Sequence, residues 1–334
     1  MGASLVYLEK PNKDINFDVG GDDKLEYVAG EMQGWRINME DAHITNLSFG
    51  KREKKHALFG VFDGHGGREV AVYTKAHLEN IIQDEEHFRS GDYSEGLRQS
   101  FLEIDRTLEK EAGREEIAVM KRANPPNKAP LFKLLGDISN KGGDDGGDNL
   151  MLDSIGCTAN VILIEDMKKL YVANAGDSRC VLARGGETIP LSYDHKPDNE
   201  EEKRRIEAAG SQILEGRVDG NLNLSRALGD LKYKQQTNLK PEEHPVTANP
   251  EVRTFDLTGE EDFIILGCDG IWETKSNEEM VEYIYERLKK GKELQEIVTE
   301  LLNDIISPDY TQTGGVGCDN MTCILIKFKN SKLK

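Results

Sequence analysis

Four times in this sequence an aspartate stands at the edge of a short apolar run. ALFGVF leads into Asp63–Gly64–His65–Gly66–Gly67, and FIILGC leads into Asp269–Gly270. Asp319–Asn320 comes just before MTCILIKF, and Asp177 follows YVANAG. Runs of this length, bounded by Gly, Asp and Asn, read as buried strands. A carboxylate that abuts a buried strand is costly unless something compensates it. Two carboxylates ~4 Å apart at an effective dielectric of ~20 repel by about 4 kcal/mol. One such aspartate is an ordinary turn residue. Four in one chain point to a divalent cation that gathers them. Oxygen donors with glycine beside them suit hard ions, Mg²⁺ or Mn²⁺. Zinc is disfavoured, because no Cys/His spacing of its kind occurs.

The rest of the chain supplies a frame for these edges. Strands are expected over Ala57–Phe62, Ala159–Ile164, Leu170–Ala175, Cys180–Ala183, Phe263–Gly267 and Met321–Phe328. Gly176–Asp177–Ser178 reads as the turn of a hairpin joining two of them. Leu97, Phe101, Ile104 and Leu108 form a helical stripe. Asp198 with Glu201, and Ser276 with Glu279, read as capping boxes at helix starts. Leu294 to Ile305 marks another helix, which ends before Ser307–Pro308. Strand groups joined by hairpins and separated by helix pairs argue for antiparallel sheets with helices on their faces. Residues 1–30 show no clear period and read as loop. Residues 112–153 contain Asn124–Pro125–Pro126 and GGDDGGDN, and read as a mobile insert. Asp137, Ser139, Gly142 and Asp148 echo a calcium loop there, but Lys141 sits at a ligand position and the bidentate Glu is missing.

Charge and cysteines narrow the function classes. The 61 acidic residues outweigh 43 basic ones, for a net charge of −18. Such a chain is a poor match to nucleic acid or to anionic membrane surfaces. Cys157, Cys180, Cys268, Cys318 and Cys323 are odd in number, lack a CxxC pair and read as reduced, buried thiols. No run approaches the ~20 apolar residues of a membrane span. Gly2 raises the question of myristoylation, but Val6 stands where the usual pattern has Ser or Thr. A cytoplasmic or nuclear protein is expected.

Beside the aspartates lie groups suited to phosphoryl chemistry. GWRINMEDAH places Arg36, Glu40, Asp41 and His43 within eight residues. Arg36 can fork onto a phosphate, and His65 can protonate a leaving oxygen near neutral pH. A surface ion pair and a turn histidine are the plain alternatives. No GxxxxGK[ST], GxSxG or HExxH occurs, and DGHGG does not fit the glycine pattern of a dinucleotide site. A metal-activated water is supported; a serine or thiol nucleophile is not, and no organic cofactor site is expected.

In order along the chain, MQGWRINMEDAH, FGVFDGHGG, GCTANVILI, LYVANAGDSRCVLARGG, LSYDHKP, LNLSRALGD, FIILGCDGIWE and GCDNMTCILIKF resemble the metal-dependent serine/threonine protein phosphatases, the type-2C or PPM family. The likeness spans about residues 30–328. It implies a four-layer αββα sandwich, with two mostly antiparallel sheets flanked by helices, forming a single catalytic domain over 1–334. It implies two divalent cations, Mg²⁺ or Mn²⁺, with Asp63 bridging them. Asp269 and Asp319 would complete one shell, and the Gly64 carbonyl with Glu40 the other. Asp177 with Asp269 would hold a weaker third ion. Arg36 would hold the phosphate and His65 would be the acid, while Asp41, Thr158 and Asn320 support the ligands. Hydrolysis would use water activated by the two ions, with no phosphoenzyme. The implied partners are phosphoprotein substrates, met by a monomer. Glu273 departs from the pattern, since many members have Asp there. Residues 231–252 fall where the family has a variable flap. A catalytically weak phosphoprotein-binding relative, a small-molecule phosphohydrolase and a calcium-binding protein are the rival readings.

Overall fold

The apolar runs assemble into two packed sheets in the computed structural model, which describes residues 7–50, 56–123 and 152–331. One sheet has six strands in the order β1 (Tyr7–Gly21), β2 (Leu25–Arg36), β16 (Met321–Phe328), β15 (Glu261–Gly267), β9 (Arg179–Arg184) and β10 (Glu187–Pro190). The other has five: β14 (Glu251–Asp256), β8 (Lys169–Ala175), β7 (Ala159–Glu165), β4 (His56–Phe62) and β3 (Ala42–Phe49). All pairings in both are antiparallel. The central strands are buried on both faces, and the period of two decides where each residue goes. In β4, Phe59 and Val61 point into the core between the sheets, while Leu58 and Phe62 point under the outer helices. In β7, Ile162 and Ile164 face inward, and Val161 and Leu163 face outward.

Helices close both outer faces. α1 (Glu69–Asp84), α2 (Glu86–Ser90), α3 (Tyr93–Glu109) and α4 (Glu111–Ala123) form the layer over the five-stranded sheet. The stripe Leu97, Phe101, Ile104, Leu108 is the buried face of α3. After α5 (Glu200–Ala208) and the single turn α6 (Asp269–Trp272), α7 (Asn277–Lys289) and α8 (Leu294–Ile305) cover the six-stranded sheet. The expected four-layer sandwich is the observed one. Ser276 and Glu279 close the capping box of α7 reciprocally, at 3.2 and 2.8 Å. Two short sheets complete the frame: β11 (Ile213–Leu214) with β12 (Arg217–Val218), and β13 (Leu228–Gly229), β6 (Gly156–Cys157) and β5 (Gly64–His65) in that order. No helix among the described residues is long and apolar enough to cross a membrane.

Four expectations need correcting. Residues 7–30 are not loop: β1 and β2 form a long hairpin, in register from Tyr7–Arg36 to Gly21–Glu26 with shifts near Asn12. β1 is an edge strand, half exposed, and carries Pro11, which an edge tolerates. Its order comes from its partner rather than from its own period. Gly176–Asp177–Ser178 does not turn a hairpin. β8 pairs with β7 and β14, whereas β9 pairs with β15 and β10, so the chain crosses from one sheet to the other there. α5 is not capped by Asp198; Asn199 takes that place and donates its amide to the Asp194 carbonyl at 2.7 Å. The start of the expected insert is also ordered. α4 buries Gly113 and Ile117, and Arg114 pairs with Asp153 at 2.9 Å. The calcium-loop echo at Asp137–Asp148 and Gly2 both lie outside the described residues.

Candidate active site

Both sheets contribute to one cleft of about 490 Å³. β4, β8 and β15 end there and are followed by Asp63, Asp177 and Asp269, and β16 begins just after Asp319–Asn320. β2 ends there in Arg36, and the chain then crosses through Glu40 and Asp41 into β3 of the other sheet. Arg36, Glu40, Asp63, Gly64, His65, Thr158, Asp177, Asp269, Asp319 and Asn320 all line the cleft. Asp41 lies just beneath it, buried against Cys268 and Thr322. Glu273, one turn after Asp269, joins them although its side chain is one methylene longer than the Asp that the resemblance leads one to expect.

The carboxylates crowd. One ligand atom each from Asp63, Asp177 and Asp269 lie within 4.8 Å of one another, and the same holds for Asp269, Glu273 and Asp319. Asp41, Asp63 and the Cys268 sulfur make a third such set. Burial, and then the charges of Asp41, Asp269, Asp319 and Asp177, push Asp63 well above the usual carboxylate range. Burial with Asp177, Asp319 and Glu273 does the same to Asp269. Asp41 is pushed up to about 7, chiefly by burial. Glu40 is raised by burial, against the pull of Arg36. Each shift says that burial and neighbouring acids outweigh whatever cations the protein itself brings to the ionised form. Oxygen donors crowded in this way match the needs of a hard divalent cation. The residues present therefore fit the metal that the resemblance implies.

Neighbours fix the ligands in place. The Thr158 hydroxyl accepts the Asp63 N–H at 3.3 Å and bonds to Ser178 Oγ at 2.7 Å, tying two strand ends across the sheets. Asn320 accepts the Glu40 N–H at 2.9 Å and donates to the Gln33 and Asn38 carbonyls at 2.8 and 3.0 Å. It thereby pins the crossing from β2 to β3. Gly64 is required at its position, because a Cβ there would stand 2.3 Å from the Glu40 carbonyl oxygen. Glu40 and Gly64 face the same cleft, but the Glu40 carboxylate joins none of the three crowded sets.

Cations and the imidazole occupy the rim. Arg36 is half-buried and donates to the Asp319 carboxylate. Its Nε is buried without a partner among the described residues. Lys196, from the DHKP stretch, pairs with Asp177. His65 Nε2 lies 2.6 Å from Asp230 Oδ2. Burial pushes the His65 imidazole down, but Asp230 and then Asp177 and Glu40 outweigh it, so the net shift is upward. Sequence reasoning assigned nothing to Lys196 or Asp230. Both lie in stretches that carry the family likeness, LSYDHKP and LNLSRALGD, which was the available signal.

The comparisons give the family and the fold. Residues 25–121 and 137–314 match the protein phosphatase 2C family. Probable protein phosphatase 2C 6 of Paramecium tetraurelia is 41% identical over 323 residues, covering 97% of this chain and 99% of that one. Probable protein phosphatase 2C 21 of Arabidopsis thaliana is 40% identical over 334 residues, covering 97% and 92%. A solved phosphatase from Toxoplasma gondii superposes with a TM-score of 0.67 at 22% identity, covering 95% of this chain and 96% of that one, which supports the fold. With the metal-suited carboxylates, Arg36 and His65 assembled where two antiparallel sheets open, the chain belongs to the protein phosphatase 2C family.

Proposed function

We propose that the chain hydrolyses phosphoserine and phosphothreonine in proteins by direct attack of water, without a phosphoenzyme. The observation that carries this is the convergence of Asp63, Asp269 and Asp319 from two sheets on one cleft, beside Arg36 and His65. Asp63, Asp269 and Asp319 would hold divalent cations, Mg²⁺ or Mn²⁺, with the Gly64 carbonyl and Glu40 completing the set. Asp177 with Asp269 is the place for a weaker third. Bound there, such ions lower the pKa of water and offset phosphoryl charge. Arg36, which donates to Asp319 here, would orient the phosphate through its guanidinium. His65 delivers a proton to the departing seryl or threonyl oxygen. Asp41, Thr158 and Asn320 hold the ligand-bearing backbone still. The 231–252 segment shares a small core of Tyr233, Val246, Ile206 and Val218; none of its residues lines the cleft, which this part of the chain reaches through Leu222, Asn223 and Leu224, and it would select substrates as the rest of that lobe. Among the described residues no serine or cysteine lines the cleft; all five cysteines are buried, and burial pushes the Cys268 thiol well up.

The test is phosphate release from a phosphothreonine peptide with Mn²⁺, with Mg²⁺ and with EDTA. Release that EDTA abolishes supports the proposal. A folded protein that releases nothing under any of these conditions refutes it and favours a phosphoprotein-binding role.

A further inference from the structure

Asp230 is fully buried, yet it is not part of the acidic cluster. Its Oδ2 meets His65 Nε2 at 2.6 Å, and its Oδ1 has no partner among the described residues. The contact is built by the small sheet. In the β5–β6–β13 ladder, His65 pairs with Gly156, and Gly156 pairs with Gly229, the residue before Asp230. Gly156 is the spacer: a Cβ there would stand 2.3 Å from Asp230 Oδ2 and 2.7 Å from His65 Nε2. Any side chain would force the two apart.

The backbone of Asp230 is held as firmly. Its φ of 49° lies in the left-handed region, which Asp and Asn tolerate better than most residues. Its N–H donates to the Ile155 carbonyl at 2.9 Å. On one side, Gly229 N–H donates to Asp105 Oδ1 at 2.8 Å; on the other, Lys234 pairs with Asp105 and donates to the Ala227 carbonyl at 2.8 Å. A carboxylate clamped at both flanks and facing one imidazole nitrogen has a single use for its position.

We infer that Asp230 is the positioning residue of His65. It accepts the Nε2 proton, fixes the ring plane and leaves Nδ1 as the nitrogen that serves the cleft. The inference rests on the acid role proposed for His65. As the phosphorus–oxygen bond to the substrate breaks and the bond to water forms, the Nδ1 proton passes to the departing oxygen. The attacking water gives up its proton to solvent, and the ring regains one from solvent. The strength of an acid matters most when the leaving oxygen is a poor one. An alkoxide of serine or threonine needs the proton; a nitrophenolate does not.

The experiment uses the full chain with Mn²⁺ and two substrates, a phosphothreonine peptide and p-nitrophenyl phosphate. Asp230→Asn, which keeps the size and tolerates the left-handed backbone, should lose at least roughly 10-fold more kcat on the peptide than on p-nitrophenyl phosphate. In a His65→Gln background the same change should add no further loss on the peptide. Mn²⁺ binding, read by calorimetry, should keep its affinity within about 3-fold. An equal loss on both substrates, or a loss that persists in the His65→Gln background, overturns the inference. ¹⁵N chemical shifts of the His65 ring decide it independently of turnover: a protonated Nε2 in the wild type supports it, and a bare Nε2 facing Asp230 refutes it. If the wild type is inert on both substrates, the proposed function fails while the ring shifts still judge the positioning.

Discussion

Glu202 and Asp63 are both carboxylates withdrawn from water, yet their surroundings drive them in opposite directions. Glu202, on α5 against the 231–252 lobe, is bracketed by Arg226 at 2.6 Å and Arg205 at 2.9 Å, and accepts the Ser225 hydroxyl at 2.6 Å. Burial opposes its charge, but the two guanidinium groups win and hold it well below the usual range. Asp63, at the end of β4, meets burial and four further acids, and is held far above that range. The chain supplies its own counter-ion where it needs rigidity. Around Asp63 it supplies further acids instead, and so leaves room for a cation from outside. Asp105 has a counter-ion in Lys234 as well, but there burial outweighs it and the carboxyl is raised; Asp269 follows the second pattern. Asp177, paired with Lys196 yet crowded by Asp63 and Asp269, stands between them.

Removing a member of each class should break the comparison in different ways. The largest effect is on turnover. Asp63→Asn should lower phosphopeptide kcat by at least about three orders of magnitude, ~4 kcal/mol of barrier, with the circular dichroism spectrum unchanged. Near-normal rates would remove Asp63 from the site. Glu202→Ala leaves two arginines buried without their acid and should cost about 3–5 kcal/mol in urea unfolding, because a broken buried pair strands its charge. A loss under 1 kcal/mol would mean that the lobe relaxes around it. Third, Mn²⁺ at about 100 times its Kd should stabilise the wild type by roughly 2.7 kcal/mol and the Asp269→Asn protein by much less, as thermal melts with and without EDTA would read. Equal shifts in both would place the ion elsewhere.

The smallest effect is a titration. His195 is buried, its Nδ1 accepts the Gly176 N–H at 3.3 Å, and burial with Arg226 lowers it to about 3. The unfolded chain takes up this proton near pH 6.5 and the folded one does not, so stability from His195 is complete above pH 6.5. It drains as pH falls toward 3, by at most ~1.4 kcal/mol per pH unit. Denaturation midpoints at pH 7.5 and 5.5, for the wild type and His195→Gln, would show the slope shrinking in the variant. Identical slopes would exclude His195.

What the sequence disclosed follows the same division. The strand-edge aspartates were legible because an acid beside an apolar run violates a physical rule, and the violation needs no fold to be noticed. The central strands were legible because both of their faces are buried. β1 was not, since an edge strand with Lys10, Pro11, Asn12 and Lys13 draws its order from β2. The turn at Gly176–Ser178 was read as local although its flanking strands belong to different sheets. Turn chemistry reports that the chain reverses, not which partners the strands choose. Asp230 carried no signal of its own beyond the family likeness of LNLSRALGD, for a related reason. It ends a stretch with no carboxylate neighbours, and only the pairing of β5, β6 and β13 carries it to His65.

The cleft is shared between the two sheets, with Asp63 and Asp177 supplied by one and Arg36, Asp269 and Asp319 by the other. It exists, then, only while the sandwich stays shut. A slide of one sheet past its mate by a single residue, about 3.3 Å, would scatter the five groups beyond joint reach. Catalytic competence is thus a gauge of closure. On heating, inactivation and melting should arrive as one event, and no half-assembled relic of the chain should retain turnover.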